Sequence, residues 1–92
     1  MSISTFESAA PRATLLVRRR IATYFTGGAE QVPSLIGALS QQGRTVHELS
    51  VDIRDGVRES SMVCAVLLPG EEIDLLLARL RELPAVVSAE LA

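Results

Sequence analysis

A change of hydrophobic period within residues 32–51 constrains the fold of this chain more than any other feature. Apolar residues first recur at helical spacing, at Val32, Leu35, Ile36 and Leu39, and such a stripe predicts a helix with one buried face. Gly43 can close this helix in a left-handed conformation, and Pro33 suits its first turn. After Arg44 the period falls to two, which predicts a half-buried strand. The residues predicted to share one side of that strand are His47, Leu49, Val51 and Ile53.

A second strand and helix follow. Asp55 and Gly56 form a hairpin-turn signal, and residues 62–68 (MVCAVLL) are apolar on both faces, as expected of a strand in the middle of a covered sheet. Pro69 and Gly70 end this strand. The next apolar stripe predicts a helix that stops at Pro84, and its members are Ile73, Leu76, Leu77, Leu80 and Leu83. Residues 85–91 alternate and predict a closing strand.

A first strand precedes these elements. Residues 19–26 (RRIATYFT) alternate, and Gly27-Gly28 marks a turn into the first helix. The predicted order is therefore β-α-β-β-α-β. This order is typical of an α+β, ferredoxin-like fold, in which right-handed crossovers place both helices on one face of a four-stranded antiparallel sheet. The opposite face of the sheet is left uncovered by helices, which favours the binding of a partner there.

Composition indicates one small domain. With 92 residues and 48% hydrophobic content, the chain can bury a single modest core. A net charge of −2 disfavours a nucleic-acid or anionic-membrane surface, and no apolar run approaches the roughly 20 residues of a membrane span. A single cysteine excludes a disulfide framework, so the cytoplasm is the expected compartment. We predict a flexible arm at residues 1–14 and one domain at residues 15–92.

Two segments carry a family resemblance. LIGALSQQGRTVHELSV (35–51) resembles the first helix and second strand of the ACT domain in small, regulatory subunits of acetolactate synthase, also called acetohydroxyacid synthase. EIDLLLARLRELPAVVSAEL (72–91) is similar to the corresponding later segment of the short, single-ACT subunits. The likeness covers about residues 19–91, and the order and spacing of the segments agree with it.

The resemblance implies a regulatory and non-catalytic role. Small subunits of this family bind a large subunit that uses thiamine diphosphate, raise its activity, and in many members confer feedback inhibition by branched-chain amino acids. The cofactor is therefore expected only in the partner, and this chain is expected to have no cofactor, catalytic residue or metal site. The residue inventory agrees, because one His and one Cys do not supply a nucleophile, a base and an orienting group.

The resemblance also points to a ligand site with altered residues. ACT domains that bind amino acids receive the carboxylate in the loop after the first strand, here Gly27, Gly28, Ala29 and Glu30, with a further contact early in the second strand, at Thr45 and Val46. Gly27 stands near the family's acid or amide position, and Glu30 near its usual glycine. Paired glycines still allow a generic anion site, and a plain tight turn is the alternative. We therefore predict weak or absent inhibition by valine.

The sequence further predicts assembly. The second strand is an edge strand in this topology, which favours a homodimer through residues 47–53, while residues 54–60 are expected to contact the large subunit. Two other classes stay open. One is a free-standing ACT sensor that binds an amino acid and controls another enzyme or regulator, and the other is an unrelated ferredoxin-like enzyme or carrier. A metal carrier would need a Cys-x-x-Cys loop, and a phosphatase-like site would need an arginine in residues 26–31; neither is present.

Overall fold

The predicted α+β ferredoxin-like arrangement is confirmed in a computed structural model that describes residues 15–54, 56 and 58–92. The arm predicted at residues 1–14, and Asp55 of the predicted turn, lie outside the described residues. The helices and strands, in chain order, are β1 (Val17–Phe25), α1 (Val32–Leu39), β2 (Thr45–Asp52), β3 (Ser60–Leu68), α2 (Ile73–Arg81) and β4 (Val86–Leu91). None of the helices in these ranges has the length and apolar character needed to cross a membrane.

The four strands form one sheet in the order β2-β3-β1-β4. All neighbouring strands are antiparallel, and Ile21 of β1 is opposite Cys64 of β3. Because β1 and β2 both run antiparallel to β3, they are parallel to each other, with β3 inserted between them. The strands β2 and β4 are the edges, as the predicted topology requires.

The core lies between the sheet and the two helices. Leu35 and Leu39 of α1 are buried, as are Leu76, Leu77 and Leu80 of α2, so both predicted helical stripes are confirmed. They pack against a sheet face whose buried members are Ile21, Phe25, Met62, Cys64, Val66, Leu68 and Ala89. Full burial of each large apolar side chain contributes about 1.5–3 kcal/mol, which makes this layer the main source of stability.

The first helix ends earlier than the sequence predicts. It stops at Leu39, and the hydroxyl of Ser40 donates back to the carbonyl of Ile36 at 2.8 Å. A short 3-10 turn at Gln41–Gly43 follows, in which both Gln42 (φ 63°) and Gly43 (φ 75°) are left-handed. Gly43 therefore turns the chain after this 3-10 segment and does not close α1 directly.

A buried arginine completes this helix end. Arg44 is only 9% exposed, and its Nη1 lies 2.9 Å from the carbonyl oxygen of Gln41. The same nitrogen is within 3.5 Å of the carbonyl oxygens of Ala38 and Leu39. The last carbonyls of a helix have no partner within the helix and carry partial negative charge. The guanidinium therefore stabilises both the end of α1 and the 3-10 turn that follows it, and its shortest hydrogen bond is to Gln41 in that turn.

A bulge in β2 interrupts the alternation of faces that the sequence predicts for this strand. His47 is opposite Ala65 and Ser50 is opposite Val63, so the register shifts between them. Glu48 accounts for the extra residue, because its φ of 54° is left-handed. Val51 then pairs with Met62 on the helix side of the sheet, whereas His47 lies on the opposite side. The prediction that His47 shares a face with Val51 is therefore wrong.

The bulge also places a charged bridge across the bare face of the sheet. The Glu48 carboxylate lies 2.6 Å from Nη2 of Arg18 and 3.7 Å from Nη1 of Arg20, both on β1. These contacts cross the intervening strand β3, where Ala65 is fully buried. The central part of this face is thus covered by the chain's own side chains.

Candidate functional site

Two adjacent glycines shape the loop between β1 and α1. Gly27 (φ 95°) and Gly28 (φ 76°) are both left-handed, a conformation that side chains disfavour. A Cβ on Gly27 would also lie 2.8 Å from Cγ of Gln31, so no larger residue fits there without movement. The loop is tied to the start of β4, because the backbone N–H of Thr26 donates to the carbonyl of Ala85 at 2.9 Å. This tie holds the loop in a defined position.

The loop forms one wall of a cleft of about 390 Å³. The opposite wall comes from the β2–β3 hairpin, and the lining residues are Gly27, Gly28, Ala29, Glu30, Ile53, Arg54, Gly56 and Arg58. The loop residues predicted as a ligand site are therefore brought together in one concave surface. The topology explains why, since β1 and β2 are parallel and the segments that follow them leave the sheet at the same end.

Charge in the cleft has both signs. A carboxylate oxygen of Glu30 lies 3.6 Å from the position that a Cβ on Gly28 would occupy, so this carboxylate folds over the glycine pair. Arg54 and Arg58 bring positive charge to the facing wall. The Arg54 guanidinium is shared with Asp52, whose Oδ2 lies 3.1 Å from both Nε and Nη2. A bound anion would therefore meet an attractive wall and a repulsive carboxylate together.

Thr45 and Val46 do not join this cleft within one copy of the chain. Both lie at the start of β2, opposite Leu67 and Val66 at the end of β3. The cleft is at the other end of β2, and at about 3.3 Å per residue the separation is roughly 20 Å. If these residues contribute to a ligand site, they do so at a separate place or from a second copy.

The residues predicted for the homodimer divide between the two faces. Leu49 is 42% exposed, Val51 36% and Ile53 38%. His47 is half-buried on the bare face. The interface itself stays a prediction, and its apolar part begins after the bulge.

Two further clefts are present in the described part of the chain. One, of about 490 Å³, lies on the bare face, and its lining residues are Tyr24, Asp52, Arg54, Arg58, Glu59 and Ser61. Arg54 and Arg58 line this cleft as well as the glycine cleft, so the hairpin arginines separate the two. The other, of about 300 Å³, lies between the start of α1 and the turn before β4, and it is lined by Gln31, Ser34, Leu35, Leu83, Pro84 and Ala85.

The reactive side chains do not assemble around these clefts. Cys64 lies in the core, and burial raises the pKa of its thiol, which disfavours the nucleophilic thiolate. Over residues 15–54, 56 and 58–92, no group of at least three His, Cys, Asp and Glu side chains has a metal-binding arrangement. The glycine cleft itself presents charged side chains and the backbone of two left-handed glycines.

Four lining residues of the cleft were not assigned to ligand binding from the sequence, and they are Ile53, Arg54, Gly56 and Arg58. Their position follows from the parallel direction of β1 and β2, because the loop after one strand and the hairpin after the other lie at a common end of the sheet. The predicted topology already implied this parallel direction, so the arginines could have been assigned to the cleft from the sequence.

Neither a protein-family model nor a curated protein sequence matches this chain.

Proposed function

We propose that this chain is a non-catalytic regulatory subunit that binds and activates the large subunit of acetolactate synthase, in the biosynthesis of branched-chain amino acids. The observation that carries this proposal is the paired resemblance of residues 35–51 and 72–91 to the small subunits of that enzyme. The ferredoxin-like fold agrees with it, because an ACT domain has this arrangement of strands and helices. The large subunit would hold thiamine diphosphate, and both proteins would act in the cytoplasm.

The hairpin is the proposed contact with the large subunit. Arg54 and Arg58 are exposed at the end of the sheet and also line the glycine cleft. A ligand in that cleft would touch the arginines that also face the partner enzyme. Occupancy of the cleft could then alter the subunit contact directly, without a conformational signal across the whole domain.

The test is reconstitution with the cognate large subunit. The purified chain should co-elute with it and raise acetolactate formation severalfold. Arg58→Glu should abolish this gain, because charge reversal at the hairpin opposes the proposed contact. The matched control is Arg79→Glu on α2. Nη1 of Arg79 donates a hydrogen bond to Oε1 of Gln41 at 3.2 Å, and this arginine lies outside the cleft. Both variants must show wild-type circular dichroism.

A free-standing amino-acid sensor is the second candidate, and the glycine cleft favours it. A surface that combines left-handed glycines, a carboxylate and arginines can receive a small zwitterion whether or not a large subunit is bound. Absence of co-elution and of any rate change in the reconstitution would refute the subunit proposal and favour the sensor. Loss of activation in Arg58→Glu and Arg79→Glu alike would refute the hairpin as the contact.

A further inference from the structure

A row of three side chains crosses the bare face of the sheet next to the β2–β3 hairpin. Ser61 of β3 pairs with Tyr24 of β1 on one side and with Asp52 of β2 on the other. Neighbouring strands are about 4.7–4.9 Å apart, so the backbones that carry the two larger side chains are separated by roughly 10 Å, with the small serine between them. This difference in size explains the concave shape of the 490 Å³ cleft that the three residues line.

The hydroxyl groups of this row are available to a ligand. Tyr24 and Ser61 are half-buried, and neither side chain makes a hydrogen bond to another residue in the described ranges. Asp52 is already engaged, because its Oδ2 lies 3.1 Å from both Nε and Nη2 of Arg54. Half-buried hydroxyls without a protein partner favour a ligand that accepts hydrogen bonds.

Two arginines complete the cleft. Arg54 is held in place, because its backbone N–H donates to Oγ of Ser60 at 2.8 Å and its guanidinium pairs with Asp52. Arg58, by contrast, has no ion pair with any described residue. The planar fork of an arginine matches the oxygens of an anionic group. The cleft therefore combines one oriented and one uncommitted guanidinium with two hydroxyls.

We propose that this cleft binds a phosphate group, as inorganic phosphate or as a small phosphate monoester. A tetrahedral oxyanion presents acceptor oxygens in several directions, so it can bond Arg58, Tyr24 and Ser61 together, whereas a carboxylate has two oxygens in one plane. Glu59, which also lines the cleft, opposes the anion by like charge and limits its affinity. The glycine cleft shares the arginines but lacks these hydroxyls, so we expect the oxyanion on the bare face.

Tyrosine fluorescence reports on this site directly, because Tyr24 is the only tyrosine of a chain without tryptophan. Titration with sodium phosphate, at an ionic strength held constant with sodium chloride, should change the emission saturably. Collisional quenching would instead grow linearly with concentration. Phosphate should bind more tightly than acetate. Glycerol 3-phosphate distinguishes the two sources, because it should bind more tightly than phosphate if the site takes a monoester and more weakly if it takes the free ion.

Two substitutions with opposite expected effects test the assignment. Arg58→Gln should weaken phosphate binding at least tenfold, since it removes a charge-assisted hydrogen bond. Glu59→Gln should strengthen binding severalfold by removing the like charge. Arg79→Gln on α2 removes an arginine outside this cleft and is the matched control. All variants must show wild-type circular dichroism.

Three results would overturn the proposal. They are an emission change that does not saturate, an affinity for acetate equal to that for phosphate, and a phosphate affinity that neither Arg58→Gln nor Glu59→Gln alters. These experiments use only this chain, so their outcome is independent of whether it activates a large subunit.

Discussion

Replacing Arg44 by alanine should destabilise the domain by about 2 kcal/mol. Its short contact with the carbonyl of Gln41, at 2.9 Å, is a charge-assisted hydrogen bond that contributes about 1.5–3 kcal/mol. The two longer contacts, at 3.4 and 3.5 Å, add little. Loss of the favourable charge at the helix end costs a further ~0.5 kcal/mol. Against this, Nε of Arg44 is buried without a partner among the described residues, and removing it recovers about 1 kcal/mol.

Urea unfolding followed by far-ultraviolet circular dichroism measures this change, since the chain has no tryptophan. The midpoint should fall with an unchanged slope, and the melting temperature should fall by roughly 10 °C. Arg44→Met retains the apolar part of the side chain and separates packing from hydrogen bonding. Arg79→Ala, which removes a partly exposed arginine that also contacts Gln41, should cost less than about 0.5 kcal/mol. A cost for Arg44→Ala no larger than that of Arg79→Ala would refute the reasoning.

Two further predictions concern charged groups at the candidate surfaces. In calorimetry, valine should bind weakly or not at all to the wild type, and Glu30→Gln should strengthen binding about tenfold by removing a like charge beside the valine carboxylate. The control is Glu71→Gln, at the other end of the sheet. A low-micromolar dissociation constant of the wild type for valine would contradict this prediction. The hydrogen bond and charge of Arg18 lower the pKa of Glu48 from 4.5, so its contribution to stability is present above that pH and disappears as the pH falls through the lowered value. Glu48→Gln should therefore show a shallower acid loss of stability than the wild type at low salt, and equal slopes would contradict the ion pair.

Element type and order could be predicted from the sequence because each depends on local periodicity and turn residues. The stripes at 32–39 and 73–83 indicated helices, and the apolar run at 62–68 indicated a central strand; all are confirmed. The sheet topology could also be predicted from the sequence, since right-handed crossovers leave few arrangements for this order of elements. The glycine loop was predicted as well, because glycine readily adopts the left-handed conformation that is found at Gly27 and Gly28.

The details that decide the candidate surfaces depend on tertiary contacts. Glu48 has no intrinsic preference for a left-handed bulge, and its bridge to Arg18 becomes visible only when β1 is placed across β3. That single bulge reverses which face His47 occupies. Arg44 resembles a solvated strand residue in sequence, and only the approach of α1 turns it into a buried helix cap. Periodicity reports which residues share a face locally, whereas bulges, caps and clefts arise between segments distant in the chain, so the tertiary structure alone determined them.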